Sequence, residues 1–103
     1  MKYAIWYMKP DWFREGVCYA KPDKANLEAT HVHLMDVERA DEVTEASLDG
    51  IWIDMQGERW SPNGEARGLI KAKGLRHTSM SVGDVIVADG ETYLCASVGF
   101  EKL

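Results

Sequence analysis

The chain opens on an alternating pattern. Lys2-Tyr3-Ala4-Ile5-Trp6-Tyr7-Met8 sets Tyr3, Ile5 and Tyr7 on one side and Ala4, Trp6 and Met8 on the other, and apolar residues on both sides suit a central strand covered on two faces. Pro10, which cannot donate to a ladder, ends it. Residues 10–16 read as a short helical turn or loop whose Trp12 and Phe13 lid the core or, as an aromatic pair, offer a binding surface. Residues 17–20 read as a short strand and 21–24 as a turn. Residues 28–37 form a further strand, with Val32 and Leu34 on one face and His31 and His33 on the other.

From Asp41 to about Gln56 the period becomes helical. Asp41 serves as N-cap, Glu42 and Glu45 suit the positive end of the helix dipole, and Leu48, Ile51, Trp52 and Met55 form a stripe facing the sheet. Gly50 weakens this helix, and a second reading starts it at Ser47 with the acidic residues in a preceding loop. Gly57 ends it. Ser61 as N-cap and Pro62 in the first turn begin a second helix that runs to Lys73, with Ala66, Leu69 and Ile70 buried and Gly74 as its C-cap.

The last third carries the clearest signal. Residues 84–87 and 92–96 are β-branched and aromatic runs joined by Ala88-Asp89-Gly90, a hairpin. Val82-Gly83-Asp84 makes a tight turn before it, and Val98-Gly99-Phe100 closes it with an apolar plug. The expected fold is α+β: a small antiparallel sheet of about four to five strands with two helices packed on it and a C-terminal β-hairpin. With 103 residues of which 46% are hydrophobic, the chain supplies one core and is too short for two, so residues 1–103 are expected to form a single domain.

No apolar run approaches the roughly 18 residues that a membrane span needs, and the N-terminal residues lead into a strand without the apolar stretch of a secretory signal. The expected location is the cytoplasm. Cys18 and Cys95 lack metal-site spacing and read as packed thiols.

Charge changes the picture once it is placed along the chain. Residues 1–35 and 59–103 each carry a net +1, whereas Asp36, Glu38, Asp41, Glu42, Glu45, Asp49, Asp54 and Glu58 face Arg39 alone, a net −7 between 36 and 58. Such a run is either a solvated helix face or a docking surface, one that repels nucleic acid and attracts basic clefts. Arg67, Lys71, Lys73, Arg76 and His77 are the one basic cluster, but a formal charge of −5 disfavours direct nucleic-acid binding.

Reaction machinery is sparse. His31-x-His33 could present two imidazoles to a metal, but no second paired-ligand motif accompanies it, so no metal or cofactor is expected. There is no glycine-rich phosphate loop, no nucleophile elbow and no HExxH. The chain therefore leans away from catalysis.

Residues 59–103, above all His77-Thr-Ser-Met-Ser-Val-Gly-Asp-Val-Ile86 and Tyr93-Leu-Cys-Ala-Ser-Val-Gly-Phe100, resemble the YodL-like family of small proteins and modules encoded by phages, plasmids and conjugative elements. The resemblance implies context more than chemistry: mobile-element accessory proteins of this size act on host machinery, including restriction and CRISPR systems, inside a bacterial host cell. It transfers no catalytic residue, and Val82, Gly83 and Asp84 match its motif while also being accounted for as a turn. Residues 1–58 carry no pattern that extends this resemblance.

Two expectations of different class follow. In the first, a non-enzymatic accessory protein binds a host protein, such as a defence complex with a basic nucleic-acid cleft, through Asp36, Glu38, Asp41, Glu42, Glu45, Asp49, Trp12 and Phe13. In the second, a small ligand- or metal-binding or hydrolytic domain gathers His31, His33, His77 and Asp84 around a pocket. Oligomeric state is left open by the sequence.

Overall fold

In a computed structural model that describes residues 1–14 and 21–103, the side chains of Phe13 and Arg14 excepted, β1 (Lys2–Met8) lies inside the sheet. It pairs antiparallel with β2 (His31–Glu38) on one side and β3 (Val85–Ala88) on the other. β4 (Glu91–Cys95) and β5 (Phe100–Lys102) extend the sheet to the order β2-β1-β3-β4-β5, all antiparallel. The helices are α1 (Pro10–Arg14), α2 (Glu45–Asp54), α3 (Gly57–Trp60) and α4 (Arg67–Ala72), with a 3-10 helix over Lys24–Ala29. This is the expected α+β architecture. The expected strand over 17–20 and Cys18 lie outside the described residues.

The two faces of β1 are buried unequally. Tyr3, Ile5 and Tyr7 join Leu48, Ile51 and Met55 of α2, Ile70 of α4, and Leu75, Met80 and Ile86 in the main core. Across the sheet, Trp6 joins a smaller cluster with Leu27, Val85 and Leu94, which the 3-10 helix covers in part. No described helix is long and apolar enough to cross a membrane.

β2 departs from simple alternation. Trp6 pairs with His33 and Ile5 with Met35, leaving Leu34 as the extra residue of a β-bulge. Parity inverts across it. Val32 lies on the helix-covered side before the bulge and Met35 and Val37 lie there after it, packed against the main core with buried Leu34. The inversion also carries His33 and Asp36 onto the same opposite face, where Nε2 and Oδ1 meet at 2.7 Å. An odd spacing of three would otherwise put them on different faces.

The helical layer corrects several boundaries. α2 begins at Glu45 with Thr44 as N-cap: Thr44 Oγ1 accepts from Ser47 N, and Ser47 Oγ accepts from Thr44 N, a reciprocal capping box. Asp41 is not the cap. Its carbonyl instead accepts from the Tyr3 hydroxyl, which also lies 3.1 Å from Ser47 Oγ, so the start of the helix is tied to β1. Trp52 is 40% exposed, leaving Leu48, Ile51 and Met55 as the buried stripe. Gly57 starts α3 rather than only ending α2. Ser61 does not open a long second helix: its hydroxyl accepts from Ala66 N, just ahead of the short α4, on which Leu69 is exposed.

The turns are set by backbone geometry. Asp89 and Gly90 both have positive φ, 51° and 75°, as the tight turn between β3 and β4 requires. Residues 96–99 do not close the sheet as a plug. They turn the chain into β5, and Val98 at the tip is 90% exposed. At Gly83, φ is +100° and an added Cβ would lie 2.8 Å from Met8 Sδ.

Ile51→Ala is expected to destabilise by about 2–5 kcal/mol, while Leu69→Ala costs under about 1 kcal/mol; urea unfolding of the two variants separates buried from rim positions. Gly83→Ala is expected to cost about 1–2 kcal/mol, lowering Tm by roughly 5–15 °C through its backbone conformation.

Candidate functional site

The sequence-predicted residues fall into three places. The first is a polar node where β1 ends. β3 begins at Val85, so Met8 N would lack a ladder partner; Asp84 Oδ1 accepts its proton at 2.9 Å. Asp84 Oδ2 accepts from Ser81 N at 2.8 Å, and His77 Nε2 donates between the two carboxylate oxygens at 3.0 and 2.9 Å. The carboxylate is fully buried and His77 half-buried. The His77 ring stacks on Tyr7 with centroids 4.5 Å apart, and the Tyr7 hydroxyl donates to Thr78 O at 2.7 Å. Burial, then the neighbouring Asp84 charge, raises the Tyr7 phenol well above its usual range.

His31 approaches the node from the Met8 side of the sheet. Its Nε2 is 2.7 Å from the Gly83 carbonyl. A carbonyl only accepts, so Nε2 carries the hydrogen. The neutral ring then accepts at Nδ1 from the Thr30 hydroxyl, also at 2.7 Å. Burial pushes the His31 pKa below its ordinary value, outweighing the raising effects of the Gly83 bond and of Asp84. Both ring nitrogens are engaged by protein atoms, and Trp12 of α1 lies 5.1 Å away ring to ring. The half-buried Trp12 is thus a packing neighbour of His31.

His33 does not join this node. It sits on the sheet face opposite α2, bonded to Asp36 and edge-on to Trp6 at 5.4 Å. Its bond holds the Asp36 carboxyl below the usual range. Of the four groups expected around one pocket, the structure brings together His77 and Asp84, with His31 behind Gly83. Among the described residues, no group of three or more His, Cys, Asp or Glu could hold a metal ion. Cys95 is buried, its thiol pushed up to about 12 by burial and by nearby Asp84, which keeps it protonated and inert.

The third place is the acidic segment, and the structure divides it. Asp36 pairs with His33, Glu38 lies 3.5 Å from the N-terminal amine, and Asp54 is bridged by Arg39 at 2.9 Å and by Arg59 at 3.9 Å. Asp41, Glu42, Glu45, Asp49 and Glu58 are exposed and make no ion pair among the described residues. Glu45 and Asp49 stand four residues apart on α2 and share a face. Trp12 follows the Met8 end of β1, away from Glu38, which pairs at the Lys2 end, and its ring lies against Gly83, next to Val82. The Phe13 side chain lies outside the described residues.

Sequence patterning missed Trp52, Ile53, Val82 and Val98 as surface groups. All four are exposed, next to acidic α2 or at turn tips, and the one cue was a large apolar residue beside a turn glycine or just off the buried stripe. Arg67, Lys71, Lys73 and Arg76, the basic cluster, are exposed on α4 and just beyond it.

Comparison with protein-family models, with characterised proteins and with solved structures returns no match for the chain.

Because His31 is disfavoured as a cation when folded, it contributes stability above its unfolded pKa of about 6.5 that is lost as pH falls toward its lower folded value. His31→Gln, which keeps a donor for Gly83 O, is expected to show a flatter fall in Tm between pH 7 and 5 than wild type; His33, His77, Asp84 and Lys9 are common to both proteins and cancel. Asp84→Ala leaves the Met8 and Ser81 N–H groups without their acceptor and is expected to cost about 2–5 kcal/mol by chemical denaturation.

Proposed function

We propose that this chain is a non-enzymatic accessory protein of a phage or other mobile element, acting in the host cytoplasm by binding a host protein through the acidic surface around α2. The target class is a nucleic-acid-handling defence complex of the restriction or CRISPR type, whose basic cleft the carboxylates occupy in place of nucleic acid. One observation carries the reading: Asp41, Glu42, Glu45, Asp49 and Glu58 are exposed without ion pairs among the described residues, while Asp36 is hydrogen-bonded to His33 and Glu38 and Asp54 lie beside the N-terminal amine and Arg39. Charge held in that state is available to a partner and steers encounter with a positive surface. The resemblance of residues 59–103 to the YodL-like family supports the mobile-element context.

The direct contact of His77 with Asp84 favours a second reading, a small ligand-binding or hydrolytic domain built on that pair. The two readings predict opposite variant patterns. Under the second, His77→Gln removes activity and acidic-surface variants leave it intact.

Binding to purified restriction and CRISPR effector complexes, measured by interferometry at low and high salt, tests the first. The expected result is a salt-sensitive complex displaced by duplex DNA. The combined variant Asp41→Lys, Glu42→Lys, Glu45→Lys weakens it at least tenfold with unchanged thermal unfolding; undiminished binding by that variant overturns the proposal.

A further inference from the structure

Beside the C-terminal half of α2 the surface opens into a groove of about 640 Å³. Its floor includes buried Met80 and Cys95. Trp52 and Ile53 line it from α2, and Val82 from the turn before β3; all three are exposed. Half-buried Phe100 and the 96–99 turn complete it, with Val98 projecting at the tip. Gln56 Nε2 donates to both Trp52 O and Met80 O, tying the end of α2 to the opposite wall.

Scattered apolar residues on a surface are ordinary, but several large ones around one concavity mark a place of contact. The charge of the groove narrows what can enter. Among the described residues Asp49 is the one charged residue lining it, and Glu45 stands one turn earlier on the same face of α2. No cation lines it among the described residues. A second copy packed on this face across a two-fold axis would set Asp49 against another acidic face, and a polyanion would be repelled.

We infer that the groove receives a bulky apolar or aromatic side chain from a partner protein's segment, flanked there by Lys or Arg residues that meet Asp49 and Glu45. This rests on the protein-binding reading above and adds where the partner is anchored. Aromatic and aliphatic anchors seated in a pocket with charged groups at the rim are the usual division of labour in an interface. The acidic surface would steer the partner and the groove would hold it.

The test uses the full chain and a fluorescein-labelled hexapeptide, Lys-Lys-Leu-Phe-Lys-Lys, with Glu-Glu-Leu-Phe-Glu-Glu and Lys-Lys-Ser-Ser-Lys-Lys as controls. Polarisation is expected to show binding of the first at least tenfold tighter than either control, and amide NMR shifts are expected at Ile53, Gln56, Val82, Ser97 and Gly99. Val82→Lys and Asp49→Lys, both at exposed positions, should each weaken it at least fivefold without changing thermal unfolding. Equal binding of the serine peptide, shifts elsewhere, or indifference to Val82→Lys overturns the inference. A concentration-dependent dimer in sedimentation that Val82→Lys dissociates also overturns it, in favour of self-association. With the host complexes, binding lost on the triple charge reversal but kept by Val82→Lys removes the groove and leaves the proposed function standing. A peptide seated in the groove with no host complex bound does the reverse.

Discussion

The fold depends on a buried carboxylate. Asp84 is fully shielded from water, where an unpaired charge would cost several kcal/mol, and it persists because donors from three places converge on it: Met8 N at the end of β1, Ser81 N in the turn, and His77 Nε2 from the segment leaving α4. Each donor is thereby fixed. The same residue receives Cys95 N at its carbonyl and gives its own N–H to Ser81 O, so side chain and main chain together weld the 77–84 segment to the sheet. Gly83 is the conformational counterpart. Only a residue without Cβ takes its φ without strain, and its carbonyl holds His31 in one tautomer.

This node accounts for His31, Cys95 and Tyr7, three chemically suggestive residues, as parts of the interior. His31 has both ring nitrogens satisfied, Cys95 is a protonated buried thiol, and Tyr7 donates to Thr78 O. Each does structural work where the sheet ends and the helical layer begins. Exposed carboxylates without ion pairs among the described residues lie elsewhere, on α2 and the loop before it, and exposed Trp52, Ile53 and Val82 line a groove beside that helix.

Where local period and turn chemistry decide, the sequence was legible. The central strand, the hairpin around Asp89-Gly90, the tight turn at Gly83 and the glycine ending α4 follow from alternation and from backbone requirements. What was not legible depended on partners far along the chain. Asp41 and Thr44 are both competent caps; Thr44 takes the role in a capping box with Ser47, and the Tyr3 hydroxyl ties this start to β1 through Asp41 O. The bulge at Leu34 is a matter of register against β1, invisible to a pattern that assumes strict alternation. Of the candidate contact residues, the sequence counts carboxylates but not their neighbours, so it could not separate Asp54 under Arg39 from Asp49 in the open. Nor could it place Trp12 at the far end of β1 from Glu38.

The position of β1 bears on how copies of this chain can go astray. Ile5 is joined to Met35 on one flank and to Ile86 on the other, so the first partner emerges early in synthesis and the second much later. In the interval the strand carries one open row of amide and carbonyl groups, a template for any equivalent segment nearby. An entangled dimer of this fold would therefore exchange the β3–β5 block, which arrives as a unit, and keep the β1–β2 pairing within each chain.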